Sequence, residues 1–155
     1  MYGRIVSINL SDKKGESKTP VFEAAIIENY GLQGDAHASS EWHRQVSLLA
    51  VESIRKMKKL GIDVSEGSFA ENITTEGIDL LSLPLGMRLK LGDSVIGEVS
   101  QIGKVCHERC AIYYQAGDCV MPKEGIFIRI LRGGKIRTGD PVTISVQTSE
   151  NDENL

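Results

Sequence analysis

Residues 102–119, Ile-Gly-Lys-Val-Cys-His-Glu-Arg-Cys-Ala-Ile-Tyr-Tyr-Gln-Ala-Gly-Asp-Cys, contain all three cysteines of the chain and one of its three histidines. A thiol in such a setting packs, binds a soft metal or carries out sulfur chemistry. Cys106 follows an alternating run, Glu98-Val-Ser-Gln-Ile102, which places it where a strand opens into a loop. Lys104, His107 and Arg109 lie close in sequence, and nearby cations favour the thiolate, the form that acts as nucleophile and as metal ligand. Cys110, four residues on, is a secondary thiol able to resolve an oxidised or persulfidated Cys106 as a disulfide. Cys119 is expected to be buried beside a later strand. Two alternatives stay open at this level. Cys106 can be an inert, small apolar residue, or Cys106, His107, Cys110 and Cys119 can close around a structural or sensory zinc.

A second polar cluster lies in Asn29-Tyr-Gly-Leu-Gln-Gly-Asp-Ala-His37-Ala-Ser-Ser-Glu-Trp-His43-Arg-Gln45. Gly31 and Gly34 permit positive φ, so the segment turns tightly. Asp35, His37, His43, Arg44 and Gln45 then follow within a short span. The spacing of His37 and His43 matches no standard helical zinc pair. Arg44 supplies a bidentate fork for an oxyanion. The same residues also fit a hydrogen-bonded structural loop. Further along, the amide of Asn72 either caps a turn or offers a donor and an acceptor to the edge of a pterin or purine. Lys13, Lys14 and Lys18, in the polar loop Asn9–Pro20, are expected to be a solvated run, with an anion contact as the alternative.

The elements that position these residues are mostly strands. Residues 2–8 and 21–28 read as two strands joined by the long polar loop. Val46–Leu60 carries sustained helical spacing at Leu48, Val51, Ile54, Met57 and Leu60, with Gly61 as its C-terminal cap and Lys56, Lys58 and Lys59 at the negative end of the dipole. Ser68-Phe-Ala-Glu71 matches a capping box, but Asn72-Ile-Thr-Thr75 behind it is strand-like, so no helix is expected there. Gly86–Val95 and Gly134–Val142 echo each other, each reading as strand, Gly-Asp turn, strand, and Ile126–Leu131 reads as a strand between them. Pro141 opens the last strand, where a missing N–H is tolerated. One helix among many short strands points to a closed β-barrel or a sandwich.

At 155 residues the chain has the size of one domain, assigned to 1–147, with a polar, disordered tail over 148–155. A net charge of −3 with both signs interspersed gives no nucleic-acid footprint. No apolar stretch is long enough to span a membrane, and Met-Tyr-Gly-Arg-Ile-Val lacks the apolar core of a signal peptide. Three cysteines make an odd number for a disulfide framework, so a reduced, cytoplasmic setting is expected.

The motifs, in order, are Gly-Leu-Gln-Gly-Asp-Ala-His, His-Arg-Gln-Val-Ser-Leu-Leu, Phe-Ala-Glu-Asn-Ile, Leu-Pro-Leu-Gly with Leu-Gly-Asp, Gly-Lys-Val-Cys-His, and Gly-Ile-Phe-Ile-Arg-Ile-Leu-Arg-Gly-Gly with a final Gly-Asp. Together they resemble the MOSC domain, named for the C-terminal region of molybdenum cofactor sulfurases. The resemblance runs from about Arg4 to Val146, and the Gly-Asp-Cys-Val-Met-Pro segment is similar to the small stand-alone bacterial type. It implies a mostly β fold, a MOSC-like β-barrel with one main α-helix and short helical turns. It also implies binding of the molybdenum cofactor, a molybdopterin, with Cys106 as the key cysteine, carrying sulfur as a persulfide or ligating molybdenum. Asp35, His37, His43, Arg44, Gln45 and Asn72, with Lys104 and His107, are the implied cofactor contacts. The implied partners are the cofactor, the proteins that make it, and a cysteine desulfurase as sulfur donor. Two departures limit the transfer. Gly34-Asp35-Ala36 stands where reductase relatives, such as the amidoxime-reducing component, often have Gly-Asp-Arg, and their additional N-terminal β-rich region is missing. A small molybdenum-dependent reductase of N-hydroxylated compounds is therefore the lesser alternative. The chain is too short to hold the pyridoxal-phosphate domain of the sulfurases proper.

Overall fold

The computed structural model describes residues 2–14, 16–103 and 124–145. In chain order its elements are β1 (Tyr2–Leu10), β2 (Thr19–Val21), β3 (Glu23–Ile27), β4 (Gly31–Leu32), β5 (Val46–Ala50), α1 (Val51–Lys59), β6 (Ile73–Glu76), one 3-10 turn over Leu80–Ser82, β7 (Arg88–Leu91), β8 (Val95–Ile102), β9 (Ile126–Arg132), β10 (Gly134–Arg137) and β11 (Pro141–Ile144). Seven strands close into a barrel, in the order β1, β6, β5, β9, β8, β7, β11 and back to β1. A ring of seven cannot be antiparallel throughout, because one full circuit must restore the strand direction. An odd number of parallel pairs is required, and here β5 and β6 supply it. Parallel neighbours need a crossover, and α1 lies within it.

Leu48, Ile73, Leu89, Val99, Ile126 and Ile128 belong to the main apolar cluster that fills the barrel. Residues of opposite parity point outward. Leu49 and Phe127 meet Ile54, Met57, Val64 and Phe69 in a second cluster, which seats α1 on the barrel wall. β2 continues beyond the ring on the end of β1. β3 pairs with β10 and β4 in a separate three-stranded sheet.

Three sequence expectations are corrected. The helix expected over Val46–Leu60 begins at Val51, and Val46–Ala50 is β5. Val46, Ser47, Leu48 and Leu49 are all buried, so this strand shows no alternation and fits the helical template as well as α1 does. The decision is non-local, because β6 and β9 offer hydrogen-bond ladders on both sides. Leu60, counted on the apolar stripe, is 68% exposed at the helix C-cap, while Gly61 closes the helix with φ +86° and an N–H to the Lys58 carbonyl. The strand expected over 21–28 breaks at Phe22, so that β2 pairs with β1 and β3 leaves for the small sheet. Both echoed segments are strand, Gly-Asp turn, strand, but only β7 and β8 form a hairpin; β10 and β11 pair with different sheets. The tail over 148–155 lies outside the described residues.

Candidate functional site

The second polar cluster folds onto the outer wall of the barrel. The registers Ile8↔Ile73, Leu48↔Ile73, Ser47↔Phe127 and Gln101↔Phe127 align one transverse row across β1, β6, β5, β9 and β8. Along that row stand Asn9, Asn72, Ser47, Phe127 and Gln101. Asn72 clasps its neighbours: its Oδ1 accepts from the Ser47 N–H at 3.0 Å and the Ser47 hydroxyl at 3.3 Å, and its Nδ2 donates to the Asn9 carbonyl at 3.3 Å. Glu71, just before it, is fully buried and accepts from the N–H groups of Gly67 and Phe69 and from the Thr74 hydroxyl. Burial pushes the Glu71 carboxyl above its ordinary 4.5, and those donors hold it only partly back.

Asp35 and Lys18 form an ion pair at 2.7 Å, with side chains 1% and 0% exposed. The Lys18 ammonium also donates to the Ser11 hydroxyl at 3.0 Å and meets His37 Nδ1 at 2.9 Å. Asp35 further accepts from the backbone N–H groups of Ser11 and His37. Burial alone would raise the Asp35 carboxyl. The hydrogen bonds from Lys18 and the Asn72 amide, with the Lys18 charge, outweigh it and hold the group below its ordinary 3.8. Lys18, expected in a solvated run, is therefore a buried partner of Asp35. One of three lysines in a polar loop carries no sign of this, because its burial depends on a carboxylate delivered from elsewhere in the chain.

Gln45 is equally committed. Its Nε2 donates to Asn29 Oδ1 and the Ser39 carbonyl, and its Oε1 accepts from the Ile130 N–H, which ties the 29–45 segment to β9. The His43 carbonyl takes the Ser100 hydroxyl at 2.7 Å, so the same segment crosses over β8. Arg44 differs. Its guanidinium lies 4.2 Å from the centre of the Trp42 ring and 5.5 Å from that of Phe127, and it makes no hydrogen bond or ion pair to a described residue. Lys14 approaches the same indole at 5.5 Å. The Trp42 Nε1–H is buried and has no hydrogen-bond partner among the described residues. Two cations over one ring, neither of them in an ion pair with a described residue, make a surface suited to an anion with an aromatic face.

The predicted residues thus divide by role. Asp35, Gln45 and Asn72 direct their polar atoms inward and build the wall. Arg44 has no hydrogen bond or ion pair to a described residue, and the His37 ring is 30% exposed. Trp42 and Phe127 were not among the sequence candidates, and Lys14 and Lys18 stood there only through the alternative of an anion contact. The single tryptophan inside a polar cluster was the signal available for the stack. Cys106, Cys110, Cys119, Lys104 and His107, and with them the alternative zinc set, lie outside the described residues. The strand leading to them does not. β8 ends at Ile102, in register with Ile126, and the Gly103 N–H bonds the Gly125 carbonyl at 2.7 Å. Among the described residues no group of three or more His, Cys, Asp or Glu converges, and no helix is long and apolar enough to cross a membrane. A cavity of about 390 Å³ beside the start of α1, lined by Glu52, Ser53, Asp79, Leu80 and Glu124 among others, contains none of the predicted site residues.

Residues 33–143 match the MOSC domain family. Among solved structures, the chain is similar to the YuaD protein of Bacillus subtilis, with a TM-score of 0.75 and 19% identity over 95% of this chain and 98% of that one. It is also similar to YiiM of Geobacillus stearothermophilus, with a TM-score of 0.69 and 22% identity over 96% of this chain and 78% of that one. YiiM of Escherichia coli gives 0.64 and 17% over 94% and 71%. At these identities the likeness carries the fold alone. No curated protein matches the chain.

Proposed function

This chain belongs to the MOSC domain family, which is associated with the molybdenum cofactor, and from that premise we propose that it binds this cofactor and handles sulfur or molybdenum through Cys106. The observation that carries the reading is Arg44, held between two aromatic rings with no hydrogen bond or ion pair to a described residue, beside Lys14 and an indole N–H that has no partner among the described residues. Those residues fit a phosphate-bearing, planar ligand: the guanidinium fork takes phosphate oxygens, and the stacked rings fix its direction so that little rotamer freedom is lost on binding.

The bound cofactor would supply a thiophilic metal centre, for which a thiolate is a suitable protein ligand. The chain's own part is to present that thiolate. Gln101 aligns with Phe127, against which Arg44 stacks, and Gly103 stands three positions before Cys106. In the sulfur-carrying form of the reading, the Cys106 thiolate attacks the outer sulfur of a donor persulfide. The donor's inner sulfur leaves as a thiolate, and Cys106 becomes the persulfide; no net oxidant is needed.

The test is reconstitution. Purified protein is mixed with molybdenum cofactor released from a molybdoenzyme, and retained molybdenum and pterin are quantified after gel filtration. One of each per chain is expected. Arg44→Ala should weaken retention about tenfold or more, as loss of a charge-assisted contact does, and Cys106→Ser should abolish molybdenum retention or sulfur loading. Wild-type protein that retains neither, or that instead holds stoichiometric zinc removable by a chelator, would overturn the proposal.

A further inference from the structure

We propose that Lys14 is a second cation of the Arg44 site, held over Trp42 by a buried relay that runs from Asp35 through Lys18 and Ser11, and that it serves the phosphate of the bound ligand. The ligand-binding role rests on the function proposed above; the placement of Lys14 does not.

The relay starts at the Asp35 carboxylate, in a side chain 1% exposed. Its Oδ1 takes the Lys18 ammonium at 2.7 Å and the Ser11 backbone N–H at 3.1 Å. Lys18 also donates to the Ser11 hydroxyl oxygen at 3.0 Å, and that hydroxyl donates to the Lys13 carbonyl at 3.1 Å. A hydroxyl has one proton to give and lone pairs to receive, so both bonds hold at once. Ser11 and Lys18 are buried, whereas Asp12, Lys13, Lys14, Glu16 and Ser17 between them are exposed. One carboxylate thus gathers both ends of a solvent-facing stretch. The Ala36 N–H to the Ser11 carbonyl and the Lys18 N–H to the Gly67 carbonyl, each at 2.9 Å, tie those ends to the neighbouring segments.

The last bond of the relay fixes the peptide from which Lys14 departs. Lys14 brings its ammonium to 5.5 Å from the centre of the Trp42 ring, against which Arg44 lies at 4.2 Å. A cation over a partly exposed ring is held only weakly by the ring itself. A lysine side chain also has much rotamer freedom to lose. Fixing its backbone from a dry anchor removes part of that cost before any ligand arrives. Both charges lie against one ring, so their separation is of the order of the Debye length at physiological ionic strength, about 8 Å. An anion that reaches the Arg44 fork therefore feels Lys14 as well. A phosphate carries up to two negative charges near neutral pH, and a planar fork with a point charge beside it matches that demand.

Trp42 is the chain's one tryptophan, so its emission reports this site alone. The experiment compares quenching of that emission by iodide, an anion, and by acrylamide, which is neutral, in the ligand-free protein at low ionic strength. The ratio of the iodide to the acrylamide quenching constant should fall about twofold in Lys14→Gln and stay at the wild-type value in Lys14→Arg. Ser11→Ala should lower the ratio as Lys14→Gln does, and Ser11→Thr, which keeps the hydroxyl, should restore it. Added sodium chloride should narrow these differences, because it screens the charge. A Lys14→Gln ratio equal to wild type overturns the placement of Lys14. A Ser11→Ala ratio equal to wild type overturns the relay. Molybdenum cofactor released from a molybdoenzyme should bind Lys14→Gln about fivefold more weakly than wild type or Lys14→Arg. Equal binding refutes the ligand role. Failure of wild type to bind refutes the proposed function, while the quenching ratio still decides where Lys14 lies.

Discussion

Asp35 and Glu71 are both buried carboxyls, yet they respond to acid in opposite directions. The folded Asp35 carboxyl lies below 3.8, so its contribution is fully present above that value and is lost as pH falls through the folded pKa. The folded Glu71 carboxyl lies above 4.5, so keeping it ionised costs stability at neutral pH. That cost disappears as acidification protonates it. Urea midpoints measured across pH should therefore hold or rise slightly as pH falls towards 4.5, then drop below 3.8. Asp35→Asn should cost roughly 3–5 kcal/mol at pH 7, because it strands the Lys18 ammonium in a dry site, and the deficit should shrink as wild-type Asp35 itself protonates. A deficit that is the same at pH 7 and pH 3 would show that the ion pair contributes nothing. At this scale the sequence is legible as to which residues gather, and not as to what they do. Asp35, Gln45, Asn72 and Arg44 are all hydrogen-bonding residues in polar segments. Whether each faces the wall or a ligand depends on partners such as Lys18, Ile130 and Ser47, which the local sequence does not identify.

The 65–70 turn is the element on which the site leans, because it packs its backbone against the Lys18 arm. Gly67 has φ +90°, and a Cβ there would lie 2.2 Å from the Lys18 carbonyl oxygen. The Lys18 N–H also bonds the Gly67 carbonyl at 2.9 Å. Three positions on, Ala70 occupies the left-handed region at φ +62° without the freedom of glycine. The two substitutions should consequently have opposite signs. Gly67→Ala combines strained backbone with a collision against main chain and should cost roughly 2 kcal/mol or more, a fall of about 4–8 °C in thermal midpoint. Ala70→Gly should be neutral or stabilising by up to about 1 kcal/mol. Calorimetry on both variants decides it, and a Gly67→Ala midpoint equal to wild type would remove the turn from the argument. Part of this turn was readable in advance. The capping-box pattern at Ser68–Glu71 was set aside because a strand follows, and Glu71 indeed accepts from Gly67 and Phe69 in a turn instead of starting a helix. The boundary between β5 and α1 was not readable. Val46–Leu49 are all buried, and only the ladders to β6 and β9 distinguish strand from helix there.

For the whole molecule the deciding contact joins the two ends of the fold. From composition and periodicity alone, a barrel and a sandwich were equal candidates, since both are built from short alternating strands. The difference lies in whether β1 meets β11, and these come from opposite ends of the chain. They pair through Tyr2↔Thr143, Gly3↔Val142 and Arg4↔Pro141, while the other edge of β11 takes β7. β11 has four residues, like β6 and β7 and against eight in β8, and it is the strand that closes the ring. Val142 sits at its centre, aligned with Gly3 on one side and Leu91 on the other, and is fully buried. Val142→Pro removes an N–H from a strand paired on both edges and should cost about 3 kcal/mol or more. The barrel should open there first, leaving β1 and β7 as unpaired edges prone to intermolecular pairing. Native-state hydrogen exchange is expected to show faster exchange along β1 and β7, with β8 and β9 still protected by their long shared ladder. Val142→Ala keeps the N–H and provides the control: it should lower stability through lost packing without changing which strands exchange first. If β1 and β7 keep wild-type protection in the proline variant, closure through β11 is not what holds the ring together, and the barrel's stability must come instead from the interior packing around Leu48, Ile73 and Ile126.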